Sequence, residues 1–336
     1  MRPTSNTATM KDIASRAHVS VTTVSKVLNG HQDISEETRK HVLKVVEEAG
    51  YVPNLMAVNL RCNKGNMVGL VLSDVSKPYF AKVIYGYENT LLAAGYQTLL
   101  FNSFEQAERQ LQILRQIASM SLAGVIIDPA QHSQSSKSIL ESMRIPYVFS
   151  NRFFENDKDY YVAADNEKAS YLATEHLISR KPGCPVLCIN GPDEISPTTL
   201  RYAGYRKALK DAGIEFHDEW VFNDQYGLSD AYAAGQKIAA SFTPPFSVFC
   251  STDQIAVGLL RALHDAGMSI PKDVAVIGID DIDMASYMTP ALSTVALPKE
   301  QIGEISANLL IDRMKGNPIK SPRYLLDPTL IIRETT

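Results

Sequence analysis

A chain of 336 residues is about two domains' worth at roughly 150 residues each. With 45% hydrophobic and 21% charged residues it has ample apolar side chain for a core, which excludes a disordered chain. Lys+Arg 33 against Asp+Glu 37 gives a net charge of -4, which taken whole argues against a nucleic-acid partner. The average conceals an asymmetry: residues 1–64 hold nine Lys/Arg and six acids, a net of +3, and the remainder is -7. A basic front end on an acidic body suggests two partners of different chemistry. The four cysteines (Cys62, Cys184, Cys188, Cys250) form no CxxC pair and no disulfide framework. No apolar stretch has the length of a signal or membrane segment, so a cytoplasmic, unexported protein with no membrane partner is expected.

Apolar positions in the front segment follow helical spacing in three bursts: Met10, Ile13, Ala14 and Ala17; Val21, Val24, Val27 and Leu28; Val42, Val45 and Val46. Each has a start signal, with Thr9, Ser20 and Ser35 as N-caps, and Asn29-Gly30 and Gly50 as stops. Only the residues around His18, Val19 and Ser20 separate the first two helices, which forces the sharp turn of a helix-turn-helix. The outward face of the second helix offers Val21, Thr22, Thr23, Ser25 and Lys26: hydroxyls for base edges or phosphates, methyls for thymine, an ammonium for guanine or phosphate. On the helix pattern alone, a small three-helix packing module with a polar surface remains open.

The blocks Thr9-Met10-Lys11-Asp12-Ile13-Ala14, Val19 to Asn29, Ile34-Ser35-Glu36-Glu37-Thr38-Arg39 and Gly50-Tyr51-Val52-Pro53-Asn54 resemble, in order and spacing, the headpiece of the lactose repressor (LacI/GalR) family of bacterial transcription regulators. His18 departs from the Gly of many members, at a turn that favours positive φ. The resemblance implies DNA contacts from Thr9, Ser20, Val21, Thr22, Thr23, Ser25, Lys26, Asn29 and Arg39. It also implies a hinge helix after Pro53 that folds on operator DNA. In that hinge Leu60 would be the minor-groove wedge, with Asn54, Ala57 and Arg61 beside it. On its own terms the stretch is barely two helical turns, marginal in water, and an ordinary linker is the other reading.

From Met67 the chain alternates short apolar runs with amphipathic helical stretches, the pattern of doubly wound parallel sheets. The predicted strands are 68–73, 96–101, 124–128 and 147–150, then, past a crossover near Asp165, 186–190, 220–223, 247–250 and 274–279. A helix over 297–316 and closing strands at 324–326 and 330–332 follow. Ligands in such folds sit beyond the carboxyl ends of the strands. There the chain places Asp74, Asn102, Asp128, Asn151, Asn190, Asp224, Thr252 and Asp280, a row suited to a ligand rich in hydroxyls. Singly, such residues are also ordinary turn and cap residues.

The body resembles the periplasmic-binding-protein-like effector domain of the same family, through Pro78-Tyr79-Phe80, Arg201-Tyr202-Ala203-Gly204-Tyr205, Ser251-Thr252-Asp253-Gln254-Ile255-Ala256, Gly278-Ile279-Asp280-Asp281 and Thr289 to Thr294. The resemblance implies that Arg201 and Asp280 clamp ligand hydroxyls and that Tyr226 stacks on the ligand. Asp165, Asn151, Arg152 and Thr252 would add polar contacts, and Tyr79 and Phe80 would close the cleft. Several members carry Asn at the place of Thr252. Arg152 has two readings: with Arg201 it pairs a carboxylate or phosphate, favouring an acidic sugar, or it is a surface Arg before the acidic loop Glu155-Asn156-Asp157.

The expected organisation is a helix-turn-helix headpiece over 1–53, a hinge and linker over 54–66, and an α/β body of two doubly wound parallel-sheet subdomains. These cover 67–164 plus 297–321 and 165–296 plus 322–336. No heptads follow the last strand, so a homodimer through the body is expected. Two rivals lack support: no nucleotide-loop, nucleophile-elbow or zincin motif suggests an enzyme, and an exported sugar carrier would not begin with a DNA headpiece. The expected protein is a repressor of palindromic double-stranded operator DNA, controlled allosterically by a small effector such as a sugar or sugar acid. It needs no cofactor and no metal.

Overall fold

A computed structural model describes residues 8–28, 31, 33–51, 65–130, 134–154, 159–192, 195–223 and 227–336. The chain divides into two compact units, Met1–Gly65 and Asn66–Thr336.

The first unit is three helices, α1 (Met10–Arg16), α2 (Val21–Leu28) and α3 (Glu36–Glu48). Thr9 and Asp12 form a reciprocal capping box on α1: Asp12 N donates to Thr9 Oγ1 at 3.3 Å and Thr9 N to Asp12 Oδ2 at 2.7 Å. Ser20 Oγ accepts from Thr23 N at 3.0 Å, and Ser35 Oγ from Thr38 N at 3.3 Å. His18 holds the turn between α1 and α2 at φ 53°, as the departure from Gly implied. Ile13, Ala14, Ala17, Val24, Val27, Val42 and Val45 form the core.

The second unit holds two six-stranded sheets. The first contains β1 (Met67–Leu72), β2 (Gln97–Asn102), β3 (Gly124–Ile127), β4 (Tyr147–Ser150), β5 (Tyr161–Ala164) and β11 (Arg323–Leu326), ordered β11-β5-β4-β3-β1-β2 and parallel throughout. The second contains β6 (Val186–Ile189), β7 (Val221–Phe222), β8 (Phe246–Cys250), β9 (Val274–Asp280), β10 (Ser293–Ala296) and β12 (Thr329–Ile331), ordered β12-β10-β9-β8-β6-β7, with β12 antiparallel to β10. Strands β5 and β10 were not expected. Strand β11 pairs with β5, so the chain returns to the second lobe after Leu326 and not at the expected residue 322.

Strands covered on both faces alternate between two apolar layers. Val68, Leu70 and Leu72 of β1 meet α4 (Tyr79–Ala93) and α11 (Lys299–Lys315), while Val71 meets α5 (Ala107–Ala118) and α6 (Gln134–Ser142). In the second lobe, Ala275, Ile277 and Ile279 of β9 face α7 (Asn166–Arg180) and α8 (Ser196–Asp211). Val274 and Val276 face α9 (Leu228–Ser241) and α10 (Asp253–Asp265). Helices α4 and α11 cross almost backbone to backbone: a Cβ on Gly303 would lie 2.2 Å from Val83 O, and one on Gly86 2.3 Å from Glu300 O. No described helix is long and apolar enough to cross a membrane.

Candidate DNA interface and ligand cleft

The second helix exposes Thr22 and half-exposes Thr23, Ser25 and Lys26, while Val24 and Val27 face the core. Two expectations change here. Val21 is half-buried and packs against the headpiece core, so it presents less of itself than an outward residue. Lys26 is drawn sideways into an ion pair with Asp33, and Arg39 Nη2 donates to the carbonyl of His31, so both cations brace the loop between α2 and α3. The Asp33 carboxyl is held below the usual carboxylate range by the Lys26 hydrogen bond. Asn29 and the hinge residues Asn54, Ala57, Leu60 and Arg61 lie outside the described residues.

In the second unit a cleft, partly open to solvent, runs between the two lobes. The first lobe contributes Lys77, Tyr79, Phe80, Asn151 and Arg152; the second contributes Thr198, Arg201, Thr252, Gln254 and Asp280 among others. Seven of the nine expected effector residues are therefore brought together. Tyr226 and Asp224 lie outside the described residues. Asp165 is a correction: it caps α7, its carboxylate accepting from Lys168 N at 2.9 Å, and it lines a separate groove with Phe153, Tyr171 and Lys207. A cap at a strand–helix junction satisfies an orphan backbone donor, and that local role decided its direction. Asp74 and Asn102 have similar turn roles, accepting from Ser76 N and Phe104 N.

Arg201, 6% exposed, is the hub of the second-lobe wall. Its Nε donates to Asn166 Oδ1 at 2.8 Å, its Nη1 to Ser251 O, and its Nη2 lies 3.5 Å from Asp280 Oδ1. Asp280 ends β9 at φ 121°, a region that glycine alone populates freely. Lys299 Nζ donates to the Asp280 carbonyl and, at 2.9 Å, to that of Asp281. Burial pushes the Asp280 carboxyl up, against the pull of Arg201 and Lys299. Behind it Asp253 is fully buried, accepting from Thr294 Oγ1 and, at 2.9 Å, from Ile282 N. Burial, and next the Asp280 charge, push it up to about 8. Gly278 makes that approach possible, since a Cβ there would sit 2.2 Å from Asp253 Oδ1. Thr252, whose Oγ1 accepts from Ile255 N at 3.2 Å, caps α10 while lining the cleft.

On the first-lobe wall Asn151, at φ 67°, donates to Asp128 Oδ1 at 3.0 Å. Asp128 is fully buried behind the wall, and burial raises its carboxyl against the Arg152 charge. Of the two roles expected of Arg152, the surface one does not hold. Arg152 is 7% exposed, not a surface residue, and its guanidinium forks onto Glu105 at 2.7 and 2.8 Å. Burial works against the Glu105 charge, but the Arg152 hydrogen bonds and charge, with Lys77, outweigh it and hold the carboxyl at about 2. The Tyr79 hydroxyl is buried with no hydrogen-bond partner among the described residues, and burial drives its pKa well up. Sequence reasoning missed Lys77, Glu105, Asp253 and Lys299. Of these, Lys77, immediately before Pro78-Tyr79-Phe80, and Asp253, inside the Ser251–Ala256 block, carried a positional hint.

Two family models match the chain: bacterial regulatory proteins of the lacI family over residues 9–54, and a periplasmic binding protein-like domain over 174–336. The HTH-type transcriptional repressor PurR of Erwinia tasmaniensis is 35% identical over 330 residues, covering 98% of this chain and 96% of that protein. The chain belongs to the LacI family. The PurR repressor of Vibrio vulnificus is 31% identical, with 98% of each chain covered. Among solved structures, the regulator CelR in complex with cellobiose is 28% identical at TM-score 0.75, covering 98% of this chain and 100% of that one. The Lac repressor dimer bound to operator and the anti-inducer ONPF aligns at TM-score 0.88 and 22% identity, covering 98% and 99%, a likeness of fold. This LacI-family protein is a DNA-binding transcriptional repressor with a helical headpiece and a two-sheet body, and not an enzyme.

Proposed function

We propose that this repressor is switched by a small hydroxyl-rich effector, a sugar or sugar acid, bound in the cleft between the two lobes. The Tyr79 hydroxyl carries this reading. It lines the cleft, is buried and has no partner among the described residues. An unsatisfied buried hydroxyl costs about 1–3 kcal/mol, which a ligand hydroxyl would recover. Around it the carboxylate of Asp280, the guanidinium of Arg201, the amide of Asn151 and the hydroxyls of Thr198 and Thr252 offer donors and acceptors to a polyol. Tyr79 and Phe80, packed edge to face at 5.4 Å, supply an apolar face. Arg201 and Asp280 clamp ligand hydroxyls, and Tyr226 stacks on the ligand face.

The DNA partner is a palindromic operator. Thr22, Thr23, Ser25 and Lys26 contact base edges or phosphates, Thr9, Ser20, Asn29 and Arg39 stand beside the backbone, and Leu60, with Asn54, Ala57 and Arg61, pries open the centre. The protein acts as a homodimer. On the body Tyr85, Met284 and Tyr287 are 57%, 63% and 82% exposed, and the Lys82–Asp283 ion pair at 2.6 Å ties α4 to the turn carrying Met284, which makes this face the dimer surface we propose. A second copy covers it. Effector binding closes the cleft and couples to operator affinity by about 1–3 kcal/mol.

A thermal-shift screen of the intact protein against sugars, sugar acids, sugar phosphates and nucleobases tests this, since a specific ligand raises apparent stability by mass action. The expected hit changes affinity for an operator obtained by selection, and Arg201→Ala removes that response while DNA binding persists. A hit whose effect survives in Arg201→Ala sinks the cleft reading.

A further inference from the structure

Lys77 and Arg152 stand on the first-lobe wall of the cleft, the two side chains there fitted to hold a ligand carboxylate or phosphate. Both are already engaged by Glu105, whose side chain is 12% exposed and stands behind the wall. Arg152 Nη1 donates to Glu105 Oε2 at 2.8 Å, Nη2 to Oε1 at 2.7 Å, and Lys77 Nζ to Oε1 at 2.6 Å. The rest of the guanidinium points inward: Nη1 also donates to Pro129 O at 3.0 Å, and Nε lies 3.7 Å from Asp128 Oδ1.

The loop that delivers Glu105 is fixed. Phe104 and Glu105 are consecutive left-handed residues, at φ 52° and 57°, a costly conformation that persists only where surroundings enforce it. Glu105 N donates to Ser73 O at 2.7 Å, Phe104 N to Asn102 Oδ1 at 3.2 Å and Ser103 Oγ to Leu72 O at 3.1 Å. Arg109 donates to Asn102 O at 3.0 Å and lays its guanidinium 4.7 Å from the centre of the Phe104 ring. On the opposite wall the Arg201 charge is opposed by Asp280, with Nη2 3.5 Å from Oδ1.

We propose that Glu105 is a built-in occupant of the cleft's anion subsite, a positioning residue that makes the cleft select an uncharged, hydroxyl-rich effector and reject sugar acids and sugar phosphates. An anionic ligand must displace a forked carboxylate held by a pinned loop, or lie beside that carboxylate on the same two cations. A neutral polyol meets no such repulsion and still finds the Asp280 carboxylate and the Arg201 guanidinium. The proposal rests on the cleft being the effector site and narrows its ligand to the neutral class.

Glu105→Gly should leave a carboxylate-sized gap between Arg152 and Lys77, and the isosteric Glu105→Gln should keep the shape without the charge. Formate and inorganic phosphate, titrated at constant ionic strength into the intact protein, are expected to leave the wild-type melting midpoint unmoved. Formate is expected to raise that of Glu105→Gly saturably, binding at least roughly tenfold tighter than to wild type. Adding Arg152→Gln to Glu105→Gly should remove the rise. In a matched sugar and sugar-acid panel the wild type should respond only to neutral members and Glu105→Gln should gain responses to acids. A wild type whose strongest response is to a sugar acid or phosphate overturns the proposal, as does a Glu105→Gly protein with native circular dichroism that ignores formate. The formate arm needs neither DNA nor effector, so it fails separately from the cleft reading, whose own failure is an effector response surviving Arg201→Ala.

Discussion

The Arg201–Asp280 pair offers a test of the cleft's electrostatics that needs no effector. Replacing Arg201 by Met keeps apolar volume but strips Asp280, 7% exposed, of its countercharge and removes the donors to Asn166 Oδ1 and Ser251 O. Breaking a buried pair from one side costs about 3–5 kcal/mol. An upper limit on the unpaired-charge part comes from the escape open to the carboxyl, which can take up a proton. Protonating a group of ordinary pKa near 4 at pH 7 costs about 4 kcal/mol at 1.36 kcal/mol per unit. Burial already raises the Asp280 carboxyl, so the true cost lies below that limit. The expected deficit of Arg201→Met is therefore about 3–4 kcal/mol at pH 7, and it shrinks as pH falls towards 5. Asp280→Asn should cost less, because Arg201 keeps its hydrogen bonds to Asn166 and Ser251. The double variant, with neither charge, should fall short of the sum by about 1–3 kcal/mol. Urea unfolding of the four proteins by circular dichroism, at pH 5 and pH 8, reads these quantities. Effects that add to within about 0.5 kcal/mol, with an Arg201→Met deficit equal at both pH values, would refute the reasoning.

Gly303→Ala drives a methyl into Val83 O at the crossing of α4 and α11 and should cost about 3 kcal/mol or more in thermal or urea unfolding; an unchanged melting temperature contradicts that backbone contact. Asp253, held near 8 when folded against 3.8 as its ordinary value, keeps a proton in the native protein that the unfolded chain releases, so its contribution to stability declines as pH rises from about 4 to 8. Asp253→Asn should flatten that part of the pH–stability curve, and an unaltered slope between pH 5 and 8 would place the dependence elsewhere. Asp33→Asn releases Lys26 from a pair whose partners are 41% and 55% exposed, so the melting temperature should barely move. Its DNA binding should steepen by about one in the slope of log affinity against log salt, and an identical slope would show that Lys26 reaches no phosphate. Leu60→Gly should weaken operator binding while leaving effector binding intact, and a titration showing wild-type operator affinity removes the wedge assignment.

The parts of the fold legible in sequence are those where a run of mostly large apolar side chains answers to burial on both faces: β1, β3, β8 and β9 fall within two residues of expectation. Strands β5, Tyr-Val-Ala-Ala, and β10, Ser-Thr-Val-Ala, are equally buried but four residues long and made of small or polar side chains, so no period stands out. The placement of β11 was illegible for a topological reason. It and β12 are separated by two residues, and nothing local says that one joins the first sheet and the other crosses to the second. In the site, Arg201 and Asp280 stood in recognisable blocks, whereas Glu105 acts on a partner 47 residues away through a turn whose left-handed residues, Phe and Glu, announce no such conformation.

The same contrast separates Asp165 from Asp280, two aspartates that the fold places at strand ends. Asp165 has an unoccupied backbone donor three residues ahead and turns to it, as the isolated chain would favour. Asp280 is held at φ 121°, with its carbonyl fixed by Lys299 and its buried carboxylate facing Arg201. A carboxylate kept against backbone preference and the cost of burial needs a compensating interaction, and in the cleft Arg201 and a ligand hydroxyl can supply it. The strain at Asp280 is therefore a stronger pointer to the effector than the polar row in which the sequence first displayed it.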